Sequence, residues 1–121
     1  MKLSEAIRLG AMLKPQGFGM LFDGARTCAM GAAHEAIFGE MSEFDIDDSC
    51  SEVYALFDTL LSQRMACPTC GYAYRRTYRV IHHLNDSHHW TREAIADWVA
   101  TIEAQQESPA IEQPALMKVG A

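Results

Sequence analysis

Apolar residues recur at intervals of three and four along much of the chain, the spacing that gathers them on one face of an α-helix. The first such stretch follows Ser4, which is placed to cap a helix, and ends before Pro15. A second runs from residue 28 to residue 38, with Thr27 placed to cap it and Gly39 to end it. The clearest stripe comprises Val53, Leu56, Phe57, Leu60 and Leu61. The pattern therefore predicts a mainly helical protein.

Two more helices are expected in the C-terminal half, over residues 77–84 and 91–104, and both carry apolar residues at helical spacing. Residues 105–121 contain two prolines and little aromatic content, which predicts a flexible tail. Residues 15–24 are rich in glycine and contain an Asp-Gly pair between apolar residues, so we expect a loop or a small β-hairpin there. The predicted fold class is mainly α with a small β-hairpin, a small α+β domain.

Acidic residues are concentrated in one segment of the N-terminal half of the chain. The 121 residues carry a net charge of −6, and we expect them to form one globular domain whose first part, residues 1–64, is helical with the glycine-rich segment and an acidic belt. The belt contains no basic residue between its carboxylates, which are Glu40, Glu43, Asp45, Asp47, Asp48, Glu52 and Asp58. The glycine and the bidentate glutamate of an EF-hand loop do not occur at the required positions. A solvated acidic surface is therefore predicted rather than a calcium site.

Four residues have the spacing of a metal site. Cys67 and Cys70 are separated by two residues. His83 and His88 follow them in the chain and are separated by four residues. Thiolate sulfur and imidazole nitrogen are the ligands that zinc prefers, and a two-residue gap lets both sulfurs turn inward from one tight turn. We therefore predict that Cys67, Cys70, His83 and His88 bind a structural zinc ion.

The run from Met65 to Trp90 resembles the two-cysteine two-histidine zinc finger family, because Tyr74 and Val80 stand at its apolar positions. The resemblance implies a single finger over residues 65–90. The apolar stripe that contains Trp98 predicts that the helix over residues 91–104 packs on the finger and on the earlier helices. His82 and His89 each neighbour one of the chosen histidines, so the ligand choice is ambiguous. The spacing from Val80 favours His83, and His88 is preferred over His89.

The same resemblance implies that the finger helix faces a DNA groove. The positions that would meet the nucleic acid carry Arg76, Arg79 and His82, and Arg75 could reach a phosphate. Arginine and histidine are suited to guanine edges. The negative net charge opposes this interpretation, and a single finger reads only about three base pairs. Binding to DNA or RNA, as a transcriptional regulator, is therefore the alternative function.

A second resemblance covers most of the chain. Phrases such as Leu3–Arg8, Pro15–Gly19, Cys28–Ala33 and Trp90–Trp98 are similar to a group of small, uncharacterised proteins from bacteriophages and prophages. The resemblance implies a phage accessory protein in a bacterial cytoplasm that binds a host or phage protein and inhibits or regulates a host system. The acidic belt could imitate nucleic acid toward such a partner. This non-enzymatic function is the one we expect first.

Catalysis and membrane insertion are not expected. The His82-His83-Leu84-Asn85 run is superficially similar to the His-Asn-His nucleases, but the spacing is wrong, and a site with four protein ligands has no open position for water. With only three ligands, Asp86 or Glu93 could serve as a base in a metal-dependent nuclease. No stretch has the roughly 20 apolar residues that span a bilayer, and no signal peptide is recognisable, so a cytoplasmic protein with reduced cysteines is predicted.

Overall fold

Helices form most of the structure. A computed structural model of the chain describes residues 1–40 and 49–107, with only the backbone described at residues 49–51 and 107. The elements are α1 (Leu3–Ala11), α2 (Ala29–Phe38), α3 (Ser49–Leu56), α4 (Asp58–Leu61), β1 (Met65–Ala66), β2 (Ala73–Tyr74), α5 (Thr77–Asp86) and α6 (Arg92–Glu107). The strands β1 and β2 form a two-stranded antiparallel sheet. The predicted fold class is therefore confirmed.

The core lies between α1, α2 and α6, and α5 also contributes to it. Its largest fully buried side chains include Ile7, Met30, Ile81, Leu84 and Ile95. Helices α1 and α2 approach so closely that a Cβ atom added to Gly10 would lie 1.8 Å from the carbonyl oxygen of Ala32. Glycine at this position allows the two backbones to touch. Val53, Leu60 and Leu61 of the predicted stripe also lie in this core, whereas Leu56 is 56% exposed.

Polar contacts tie the two ends of the chain together. The backbone N–H and the hydroxyl of Ser4 donate to the carboxylate of Glu103 in α6, at 3.1 and 2.6 Å. Ser4 lies inside α1 and does not cap it, because the helix begins one residue earlier and Glu5 accepts from the backbone N–H of Lys2 at 2.8 Å. The predicted capping role of Ser4 is therefore wrong, and its hydroxyl serves a tertiary contact.

The start of α2 also differs from the prediction. Cys28 is the N-cap, and its sulfur accepts from the backbone N–H of Gly31 at 3.5 Å. Thr27 is fully buried, and its hydroxyl accepts from the guanidinium of Arg92 at 2.9 Å. The predicted capping role of Thr27 is therefore wrong, because its hydroxyl oxygen accepts a hydrogen bond from Arg92 instead. The cap therefore moves to the next residue.

Three further predictions concern the glycine-rich segment, the end of α6 and the C-terminal tail. The glycine-rich segment 15–24 is a loop with isolated bridges that join Gln16 and Phe22 to Thr27. Helix α6 continues to Glu107, beyond the predicted end at residue 104, since no proline or glycine occurs before Pro109. The tail from residue 108 onward lies outside the described residues.

Most of the acidic belt lies outside the described residues as well. This applies to Glu43, Asp45, Asp47 and Asp48, whereas Glu40, Glu52 and Asp58 are described and exposed. None of the described helices has both the length and the apolar character needed to cross a bilayer.

Candidate metal centre

The hairpin holds the two cysteines in a tight turn. Met65 pairs with Tyr74 and Ala66 with Ala73, so the chain reverses between the strands within a few residues. The backbone N–H of Cys67 donates to the carbonyl of Tyr72 at 2.9 Å, and Gly71 N–H donates to the carbonyl of Cys67 at 2.9 Å. Gly71 has φ of 78°, the left-handed conformation that glycine adopts without strain. The turn places both sulfur atoms on one side.

The end of α5 supplies the two histidines. His83 lies in the last turn of the helix, and the backbone N–H groups of Ser87 and His88 both donate to its carbonyl, at 2.9 and 3.2 Å. These bonds fold the chain back over the helix end. His89 follows with φ of 53°, which turns the chain away again. His88 is thereby directed toward His83, and their ring centroids are 4.5 Å apart.

The four predicted ligands come together. One ligand atom from each of Cys67, Cys70, His83 and His88 lies within 4.8 Å of all the others. The Sγ atom of Cys70 is 3.5 Å from Nε2 of His83, which equals the sulfur–nitrogen edge of about 3.5 Å expected for a tetrahedron with zinc bond lengths. This group could therefore hold a metal ion.

The orientation of His88 fits metal binding. Its Nε2 atom is buried, and it has no hydrogen-bond partner in the described part of the chain. A buried ring nitrogen without a partner is costly in a purely protein environment, whereas ligation to a cation would satisfy it. Of the two adjacent histidine pairs, the cluster contains His83 and His88 and does not contain His82 or His89.

The environment of Cys67 favours the thiolate, which is the form that binds metals. The residue is only 2% exposed. This burial acts to raise the pKa of the thiol, but hydrogen bonds from the backbone N–H groups of Cys70 and Thr69 outweigh it, and the pKa of Cys67 lies below its ordinary value. The N–H of Thr69 is 3.4 Å from the sulfur. The turn thus stabilises negative charge on the buried sulfur.

Tyr74 lies beside the cluster, and Val80 and Trp98 belong to or pack against the core that also contains Cys67. The ring of Tyr74 lies 5.4 Å from that of His83, Val80 is fully buried in α5, and Trp98 packs partly buried against the same core. The hydroxyl of Thr77 donates to the carbonyl of Gln63 at 3.0 Å and joins the start of α5 to the segment before β1. The cluster therefore lies at the edge of the core, with Cys67 buried in it and Cys70 exposed.

The residues predicted to contact nucleic acid fall into two groups. Arg75, Arg76 and Arg79 are exposed. His82 is half-buried, its Nε2 is 2.8 Å from the hydroxyl of Tyr54 in α3, and burial lowers the pKa of its ring below the ordinary value. The ring nitrogen of His82 is thus occupied by an internal contact.

Sequence reasoning did not identify the role of Asn85. This side chain is fully buried, donates to the carbonyl of Gly17 at 2.9 Å and accepts from Gln16 at 2.9 Å. Next to it, the carboxylate of Asp86 accepts from the backbone N–H of Gly19 at 3.0 Å. The glycine-rich loop is thereby fixed to the end of α5, near the turn that carries His88. A polar residue on a helix gives no sequence signal of such a contact.

Comparison of the chain with models of known protein families, with curated proteins and with solved structures finds no match. The resemblance to bacteriophage proteins therefore has no support from these comparisons, and the arguments about function depend on the site itself.

Proposed function

We propose that this protein is a zinc-stabilised binding protein in which the metal has a structural role. The observation that carries the proposal is the convergence of Cys67, Cys70, His83 and His88 within 4.8 Å. Two thiolates and two imidazoles form a donor set typical of structural zinc, and softer or harder metals prefer other sets. When bound, the ion would join the hairpin to the end of α5.

The proposal assigns no catalysis to this centre. Four protein ligands complete a tetrahedral coordination sphere and leave no position for a substrate or an activated water. Asp86, the base considered for a three-ligand site, is engaged by Gly19 N–H and the Asn85 amide. These contacts favour a structural role for Asp86 and support a non-enzymatic function.

For the binding partner we propose nucleic acid, contacted through the arginines around the finger. Arg64, Arg75, Arg76 and Arg79 are exposed, and within residues 1–40 and 49–107 none of them forms an ion pair with a carboxylate. Arginines elsewhere on the surface are paired, as Arg8 is with Asp97 at 2.7 Å. The guanidinium of Arg79 also lies over the ring of Tyr78, at 5.7 Å from its centroid. Exposed guanidinium groups without carboxylate partners favour a polyanionic partner.

A protein partner is the second candidate. Leu9, Met12 and Leu13 are exposed together at the end of α1, and exposed apolar side chains favour protein contacts. The acidic belt, which led us to expect a protein partner first, lies largely outside the described residues. A bacteriophage origin and a cytoplasmic location remain predictions from the sequence.

Native mass spectrometry with elemental analysis tests the metal proposal. We expect one zinc ion per chain, which a chelator removes. The matched variants His88→Asn and His89→Asn distinguish the ligand from its neighbour, since asparagine tolerates the left-handed backbone at residue 89. Loss of zinc from the first variant alone supports the assignment. A metal-free wild-type protein, or equal loss from both variants, would contradict it.

A salt titration of nucleic-acid binding tests the partner. If the arginines contact phosphates, affinity for DNA or RNA falls steeply as salt concentration rises, because bound counterions are released on association. The chelated protein should lose this binding. An absence of binding at low salt would exclude the nucleic-acid function and leave the protein partner as the candidate.

A further inference from the structure

A cleft lies beside the metal cluster, between the hairpin and the first turn of α5. It has a volume of about 430 Å³ and is lined by Tyr72, Ala73, Tyr74, Arg75 and Arg79. Tyr72 is 63% exposed, which is unusual for a large aromatic side chain in a domain with a substantial core. The cleft thus combines aromatic rings with two exposed guanidinium groups.

The aromatic rings are held in place by the finger. The ring of Tyr72 lies 4.8 Å from that of Tyr74 at an angle of 60°, and Tyr74 in turn lies 5.4 Å from the ring of His83. A chain of ring contacts therefore runs from the exposed tyrosine to a residue of the metal cluster. Because one side of Tyr72 is supported, its outer side is available for a planar ligand with little loss of conformational entropy.

We propose that this cleft binds single-stranded nucleic acid, with a base stacked on Tyr72 and the flanking phosphates paired with Arg75 and Arg79. Stacking on an aromatic ring needs the face of an unpaired base, whereas in a duplex the faces are covered by neighbouring base pairs. The arginines provide the complementary charge for the backbone. The proposal deepens the nucleic-acid function proposed above and depends on it.

The structure also argues against the groove-facing mode that the finger family implies. In that mode His82 would contact a base, but its Nε2 is bonded to Tyr54 and its ring is half-buried against α3. Helix α3 thus covers part of the helix surface that a duplex would need. The hairpin side of the finger has no such cover, and the exposed tyrosine and arginines line it.

Fluorescence anisotropy with the zinc-loaded full chain tests the proposal. The probes are a labelled oligothymidylate, an oligouridylate of equal length and a duplex of the same length. We expect both single strands to bind more tightly than the duplex. DNA and RNA supply the same stacking and phosphate chemistry, and the ratio of the two affinities identifies which of them the cleft prefers.

Variants at Tyr72 test the stacking. Tyr72→Ala should weaken single-strand binding by about tenfold or more, while Tyr72→Phe, which keeps the ring, should bind like the wild type. The side chain is exposed, and the hairpin bond at this residue uses its backbone carbonyl, so both variants should keep their zinc. Equal affinity of the alanine variant and the wild type would overturn the proposal.

The arginines are tested by salt dependence. Arg75→Ala with Arg79→Ala should reduce the slope of log affinity against log salt by about 1.4, since each single-strand phosphate contact contributes about 0.7. Arg8→Ala removes an exposed arginine from α1 and should leave the slope unchanged. Tighter binding to the duplex, or binding that depends on the arginines but not on Tyr72, would overturn the cleft proposal and keep the nucleic-acid function. No binding to any probe would overturn both.

Discussion

The helical part of the molecule differs in its contacts from the segment 65–90, called the finger here for its hairpin and cysteine–histidine cluster. Helices α1, α2 and α6 enclose fully buried side chains such as Ile7, Met30 and Ile95, and their contacts need no ion. The finger has strands of two residues each, and its turn at Pro68–Gly71 is exposed. A hairpin this short has marginal stability alone. The helical part is therefore held together by apolar burial, and we expect the hairpin to depend on a metal ion bound by the four candidate ligands.

The two parts meet at α5. This helix carries His83, and it also carries Val80, Ile81 and Leu84, which are fully buried in the common core. Loss of the metal would therefore affect the helical part through α5, whereas a packing fault between α1 and α2 should leave the cluster intact. We therefore expect the largest effects from substitutions that remove the metal, and smaller effects from substitutions confined to the helical part.

The largest effect is expected from Cys70→Ala. Without this ligand the metal is lost and much of the region after Met65 unfolds, with a free-energy cost on the order of several kcal/mol, since structural zinc contributes roughly 10 kcal/mol or more in finger peptides. Circular dichroism and thermal melting measure the loss. Tyr72→Phe, on an exposed side chain of the same hairpin, should behave like the wild type. A cysteine variant with wild-type helix content and melting would contradict a structural metal.

The second effect tests the helical part alone. In Gly10→Ala the new Cβ would collide with the carbonyl oxygen of Ala32 at 1.8 Å. Because the Cβ is fixed to the backbone of α1 and the carbonyl belongs to the backbone of α2, the helices must move apart. We expect a loss of about 3 kcal/mol in denaturant unfolding with one zinc still bound. Leu9→Ala, on the exposed side of α1, is the control. Zinc loss in the glycine variant would show that the two parts are not separable.

The third effect concerns Arg92, which joins the ends of several segments. Its guanidinium donates to Thr27 and to the carbonyls of Ala11 and Lys14 at 3.2 and 2.7 Å. Burial lowers the pKa of this group, and no carboxylate in the described residues lies within ion-pair distance. Arg92→Met leaves the carbonyls without donors, at a cost of about 2 kcal/mol.

The expected loss of stability in Arg92→Met is smaller than that in Gly10→Ala because a buried charge is removed as well. Equilibrium unfolding in denaturant measures the stability, and hydrogen exchange at Thr27 locates the change. Arg92→Lys keeps the charge with fewer donors and should fall between the wild type and the methionine variant. A methionine variant of wild-type stability would mean that the hydrogen bonds only offset the cost of burying the guanidinium.

The sequence predicts apolar contacts and ligands better than it predicts polar tertiary contacts. The helices and the set of four ligands follow from periodicity and spacing, because both are local in the chain. The choice of His88 over His89 depends on the reversal after α5, and the spacing alone only favours it. Ser4 and Glu103 are far apart in the sequence but share a buried hydrogen bond. Such pairs depend on how the helices pack against each other, and local sequence patterns do not predict that packing.

The smallest effect is expected from His82→Gln, at the boundary between the two parts. Burial lowers the pKa of His82 below its ordinary value of 6.5, so the folded state keeps the ring neutral while the unfolded state takes up a proton. The stability associated with the neutral ring is therefore complete above about pH 6.5 and is lost as the pH falls below it.

Unfolding free energies of the wild type and His82→Gln, measured from about pH 7.5 to about pH 5.5, isolate this contribution. All other acid-sensitive groups are common to both proteins, so the difference between the two curves belongs to His82. We expect the wild type to lose more stability than the variant. Parallel curves would mean that the contact with Tyr54 does not exclude the proton, and that α3 packs less closely on the finger than the 2.8 Å bond indicates.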